Sequence, residues 1–90
     1  MPYRWLPQAL LLLAGIEPYE VLQVLYAEQR MPVPAYADGI RVLTIWGRTK
    51  KGRPLIVTVR RVGQFDQLIV GAWEMSTDEL AQFEEWEAGR

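Results

Sequence analysis

Residues 41–62 read RVLTIWGRTKKGRPLIVTVRRV, two runs rich in Val, Ile, Leu, Thr and Trp on either side of Thr49-Lys50-Lys51-Gly52. β-Branched and aromatic side chains suit a pleated backbone, and a glycine closing a short break supplies the positive φ that hairpin connections often need. The stretch predicts a β-hairpin from Arg41 to Arg48 and from Arg53 to Val62. Pairing Arg48 with Arg53 across a four-residue loop sets Trp46 opposite Leu55, Thr44 opposite Val57 and Val42 opposite Val59. A third run, Leu68 to Trp73, follows Gly63-Gln64-Phe65-Asp66 and continues the meander,. It adds Leu68, Val70 and Ala72 to this apolar face, which is assigned to the core. The other face collects Arg41, Leu43, Ile45, Ile56, Thr58, Arg60, Ile69, Gly71 and Trp73. In this register Arg41 stands directly opposite Arg60, and the two like charges repel.

Upstream of the hairpin, Tyr3 to Trp5 reads as a short strand. Pro7 suits the first position of a helix that runs through the leucines to Ala14, with Gly15 as its cap,. Pro18 opens a second helix, with Glu17 and Glu20 near its positive end and a buried stripe of Val21, Leu22, Val24 and Leu25. The stretch 31–39 holds Pro32 and Pro34 and ends in Asp38-Gly39, an extended connector or edge strand closing in a turn. Downstream, Ser76 and Glu79 have capping-box spacing, and Leu80, Phe83 and Trp86 continue a helix to the end. The expected fold is therefore α+β, in one domain spanning residues 1–90. It has two N-terminal helices under a three- to four-stranded antiparallel meander, then a C-terminal helix.

The composition limits the chemistry. The chain has no Cys and no His, so thiolate chemistry, disulfides, the usual neutral-pH proton carrier and the commonest metal ligand are all missing,. No phosphate loop, dinucleotide glycine pattern or regularly spaced ligand cluster is visible, so no cofactor and no metal are expected. The apolar run from Ala9 to Ala14 is far shorter than the roughly 20 residues of a bilayer span. With no cysteine framework after it, the expected location is the cytoplasm, away from any membrane.

Charge is unevenly placed. Arg41, Arg48, Lys50, Lys51, Arg53, Arg60 and Arg61 occur within 21 residues that contain no acid, whereas Glu74, Asp78, Glu79, Glu84, Glu85 and Glu87 dominate the end of the chain. A cationic segment suggests an anionic partner, and the two segments also suit mutual neutralisation. In the first case Arg41 and Arg60 hold phosphate, Trp73 stacks a nucleobase, and Arg48, Lys50, Lys51 and Arg53 assist from the hairpin end. In the second, the acidic C-terminal helix folds over the mixed face and pairs its arginines, while the loop charges are simply solvated.

Several short motifs together resemble the BrnT family of RelE-like ribonuclease toxins from bacterial type II toxin–antitoxin modules. They are Tyr3-Arg-Trp5, Gly15-Ile-Glu-Pro-Tyr-Glu-Val21, Arg41, Ile45-Trp-Gly-Arg-Thr-Lys-Lys-Gly-Arg53, and Gly71-Ala-Trp-Glu-Met-Ser-Thr-Asp-Glu79 with Phe83. The resemblance spans nearly the whole chain. It implies an RNA-binding toxin, a metal-independent endoribonuclease where active, neutralised by a ribbon-helix-helix antitoxin. The chain departs from the family where basic groups are usual: residues 6 to 16 contain no lysine, histidine or asparagine, and Gly71-Ala72-Trp73 stands where the family carries Ser-Ala-Arg. Ribose activation and phosphorane stabilisation need a positioned acid or base and fixed cations. No residue here is selected as that acid or base. The alternative function is a catalytically inactive BrnT-like interaction module, docking a partner through the mixed face and the aromatic C-terminal helix.

Overall fold

The computed structural model describes residues 3–90. Along the chain lie β1 (Tyr3–Trp5), α1 (Pro7–Leu12), α2 (Pro18–Leu25), β2 (Arg30–Ala37), β3 (Ile40–Arg48), β4 (Pro54–Val62), β5 (Asp66–Glu74) and α3 (Thr77–Ala88). The fold is α+β, but the sheet is larger than the expected three or four strands and is mixed. Its five strands are ordered β1-β5-β4-β3-β2. Strands β2 to β5 pair antiparallel, and β1 lies parallel to β5, with Tyr3 beside Gln67 and Trp5 beside Ile69.

The register between β3 and β4 differs by one residue from the expected one. Ile45 faces Val57, Trp46 faces Ile56, Thr44 faces Thr58 and Leu43 faces Val59. The cause is the connection. The Gly52 N–H donates to the Thr49 carbonyl at 2.9 Å, and the Thr49 N–H donates to the Arg53 carbonyl at 2.9 Å. Gly52 has φ +90°, the positive-φ position of a type I turn with a glycine bulge. Arg53 thus belongs to the connection, and Arg48 pairs with Pro54. Because side chains alternate, this slip turns all of β3 over relative to β4.

A second irregularity reverses part of β5. Thr58 pairs with Gly71, but Val59 pairs with Ile69, so a bulge interrupts β5 at Val70. Ala72 shares a face with Val57 as expected. Beyond the bulge it is Ile69, rather than Leu68 and Val70, that joins Val59, and Leu68 sits opposite Arg60.

The two faces are both covered. Under α2, Val21, Val24 and Leu25 pack with Ile45, Leu55, Val57, Val59 and Ile69. The opposite face carries a smaller cluster of Trp46, Ile56 and Phe83, flanked by Met31, Val33, Met75 and Trp86. Phe83 is 1% exposed, so α3 covers the Trp46–Ile56 part of this face, while Trp73 and Arg60 on the same side stay exposed. Buried Thr44 is satisfied: its hydroxyl donates to the Val33 carbonyl at 2.6 Å and accepts from the Trp46 indole N–H at 3.0 Å, as burial of a polar group requires.

Local sequence accounts for the helix starts. Both α1 and α2 have proline in the first turn, and α2 and α3 carry reciprocal capping boxes, Glu17/Glu20 and Ser76/Glu79. Helix α1 ends at Leu12, short of the expected Ala14, and α2 turns Leu22 outward. Gly47 permits the close approach of α2, since a Cβ there would stand 3.1 Å from Val24 Cγ1. Edge strand β2 bears Pro32 and Pro34, which blunt the edge against further pairing,. It joins β3 through Asp38 and Gly39, both at positive φ, the two-residue turn that Asp-Gly favours,.

Candidate nucleic-acid interface

The seven residues singled out from the sequence do not converge. Arg48 and Arg53 are held by carboxylates at the hairpin tip. Arg48 donates Nε to Glu87 Oε2 and Nη2 to Glu87 Oε1, both at 2.9 Å, a two-pronged pair, and its guanidinium lies 5.6 Å from the Phe83 ring centroid,. The hydrogen bonds from Arg48 lower the pKa of Glu87 and raise that of Arg48. Glu84 adds a longer contact at 3.9 Å.

Arg53 bridges two elements, donating to Glu74 at 3.2 Å and Glu20 at 3.0 Å. The hydrogen bond to Glu74, reinforced by the one to Glu20, raises its pKa. Glu20 is held below its ordinary value, first by the Glu17 backbone N–H and then by Arg53. These two arginines fasten α3 and α2 to the sheet. Their guanidiniums are committed to protein, not to a ligand.

Lys50 and Lys51 are exposed on the turn. Trp73 lies on the α3 side opposite Ile56, 42% exposed, with its indole N–H donating to Glu79 at 3.4 Å. Arg60 shares that side, but four residues farther along β4, about 13 Å at the usual strand rise. Arg41 lies on the other side. The expected Arg41–Arg60 pair is therefore corrected by the register: one residue of slip puts these arginines on opposite faces.

The residue brought together with Arg41 is Arg61. Pairing between β3 and β4 runs from Arg48–Pro54 to Leu43–Val59 and stops there, while β3 remains paired to β2 as far as Ile40 and β4 to β5 as far as Val62. The sheet splits, beside the bulge that sharpens its twist. A cleft of about 310 Å³ occupies the split, with Arg41 on one lip, Arg61 on the other, Leu43 and Val59 as apolar floor, and Pro34 and Gln67 at the sides. Among the described residues, no carboxylate forms an ion pair with Arg41, Arg60 or Arg61. One Arg61 Nη donates to the Gln64 carbonyl at 3.0 Å, leaving other donors of its five available.

Sequence reading missed Arg61 and Gln67 as site residues. The signal was present in the pair Arg60-Arg61, but only the register says which of the two faces Arg41. Among the described residues no group of three or more His, Cys, Asp or Glu side chains is arranged to hold a metal ion. No helix among them is long and apolar enough to cross a membrane. No protein-family model, curated protein or solved structure matches the chain.

Proposed function

We propose that the chain is the toxin-like half of a BrnT-type bacterial type II toxin–antitoxin module, with a RelE-like fold, and that it binds RNA through the Arg41–Arg61 cleft. The carrying observation is a split in the sheet with two arginines on its lips, neither neutralised by a carboxylate among the described residues. Paired guanidiniums suit a phosphate oxygen on each side, and the apolar floor suits the face of an unstacked base. The short motifs that resemble the family span nearly the whole chain. A ribbon-helix-helix antitoxin in the cytoplasm is the corresponding partner.

The cleft favours binding over cleavage. Its polar side chains are two guanidiniums and an amide, and none of them accepts a proton at neutral pH. Asp66, the nearest carboxylate in sequence, is engaged by Arg4 at 3.3 Å. The cations alone would stabilise charge on a phosphorane without activating the ribose hydroxyl.

The test is binding and cleavage of a mixed single-stranded RNA pool in EDTA by the parent protein, by Arg41→Ala/Arg61→Ala and by Arg60→Ala. The reading expects RNA binding that loses at least about tenfold in the double variant and little in Arg60→Ala. Two phosphate contacts would give a log–log salt slope of about −1.4. Equal binding by all three proteins would reject the cleft. Cleavage lost in a folded double variant would make the site a nuclease after all.

A further inference from the structure

A second concavity lies at the other end of the hairpin, between α2 and the turn. It measures about 540 Å³ and is lined chiefly by Tyr19, Leu22, Gln23, Tyr26, Thr49 and Lys50. Helix α2 uses Val21, Val24 and Leu25 for the core, each at most 1% exposed, and turns a separate stripe outward: Tyr19 at 57%, Leu22 at 37% and, at its C-cap, Tyr26 at 62%, whose ring meets that of Tyr3 edge-on at 5.5 Å. These positions are spaced i, i+3 and i+7, one helical face that rises about 10 Å, or two turns. Three large apolar or aromatic side chains in a row at this spacing form a ridge that packs into the groove of another helix.

Charge decides what kind of helix. Lys50 stands on the wall opposite the stripe and forms no ion pair among the described residues. The carboxylates at the start of α2 are otherwise engaged: Glu20 is held by Arg53 and lies within electrostatic reach of Lys51, while Glu17 and Glu20 serve the reciprocal capping box. Gln23 is also fixed, its Oε1 accepting the Lys50 N–H at 3.0 Å, so the wall is preorganised. Strand addition is a poor fit, because the groove walls are a helix and a turn, neither a sheet edge, and edge strand β2 carries two prolines,.

We infer that this groove docks an amphipathic helix of a partner protein, with apolar side chains against Tyr19, Leu22 and Tyr26 and a carboxylate at Lys50. The assignment is independent of RNA binding at Arg41 and Arg61.

A suitable probe is a stapled helix of about 14 residues with leucines at i, i+3 and i+7 flanked by glutamates, alongside its counterpart with lysines replacing the glutamates. The ¹⁵N–¹H spectrum of the full chain is followed as each is added. The acidic helix should shift the amides of 19–27 and 48–50 saturably. Lys50→Glu should weaken it at least about fivefold and strengthen the basic helix, Tyr19→Ser should weaken both, and Arg41→Ala/Arg61→Ala should leave the titration unchanged. All four substituted residues are on the surface, and an unchanged circular dichroism spectrum verifies folding. No saturable shift, shifts elsewhere, or equal response to both helices would overturn the inference. So would an oligouridine that moves the same amides more strongly, since the tyrosines would then be a stacking surface for bases.

Discussion

The two ends of the β3–β4 hairpin carry arginines with opposite fates. At the tip, Arg48 and Arg53 each meet carboxylates from other elements, Glu87 on α3 and Glu20 and Glu74 on α2 and β5. At the open end, Arg41 and Arg61 line a split in the sheet and meet none among the described residues. In sequence these residues form one basic segment. In space, two of its five arginines hold the molecule together, and the other three form no ion pair among the described residues. A charge cluster is therefore read by what faces it, and the acidic C-terminal segment neutralises only the end it reaches.

The largest effect should come from removing the platform under the paired end. Phe83 is buried against Trp46, Ile56 and the Arg48 guanidinium, and Phe83→Ala should cost about 3–5 kcal/mol in denaturant unfolding. A loss under 1 kcal/mol would show that α3 is not anchored there. Next, Arg41→Ala/Arg61→Ala should reduce RNA affinity at least about tenfold while unfolding free energy stays within about 0.5 kcal/mol. A clear stability loss would erase the distinction between the ends.

Arg48→Met should do the reverse on a smaller scale. The Glu87 pair is partly exposed, so the stability loss is about 1 kcal/mol, with RNA affinity unchanged. The pH dependence should follow. Glu87 has a folded pKa below its unfolded value, so its contribution is complete above about pH 4.3 and is lost as pH falls through the folded value. Acid unfolding profiles of Arg48→Met and the parent should converge in that window; profiles that stay a constant distance apart would show that ionisation of Glu87 plays no part in the difference.

Much of the backbone was readable from local chemistry. Proline at the start of two helices, the Ser76/Glu79 capping box, the Asp38-Gly39 turn and the two apolar runs each carry their own signal. The register did not. Both faces of β3 are covered, Leu43 and Ile45 on one side and Val42, Thr44 and Trp46 on the other, and a strand buried twice shows no alternation to fix its phase. The phase then rested on loop length, which Gly52 extends by one residue through its positive φ. The bulge at Val70 leaves no comparable mark, since Leu68, Ile69 and Val70 are equally apolar. The candidate site followed the register: Arg41 was identifiable, its partner was not.

The most direct test of the division between paired and available arginines is to follow the arginine Nε–Hε signals by NMR while a short oligouridine is added. The account predicts that Arg41 and Arg61 shift together and saturate, while Arg48 and Arg53 stay in place. Shifts at Arg48 or Arg53 with Arg41 and Arg61 unmoved would contradict it.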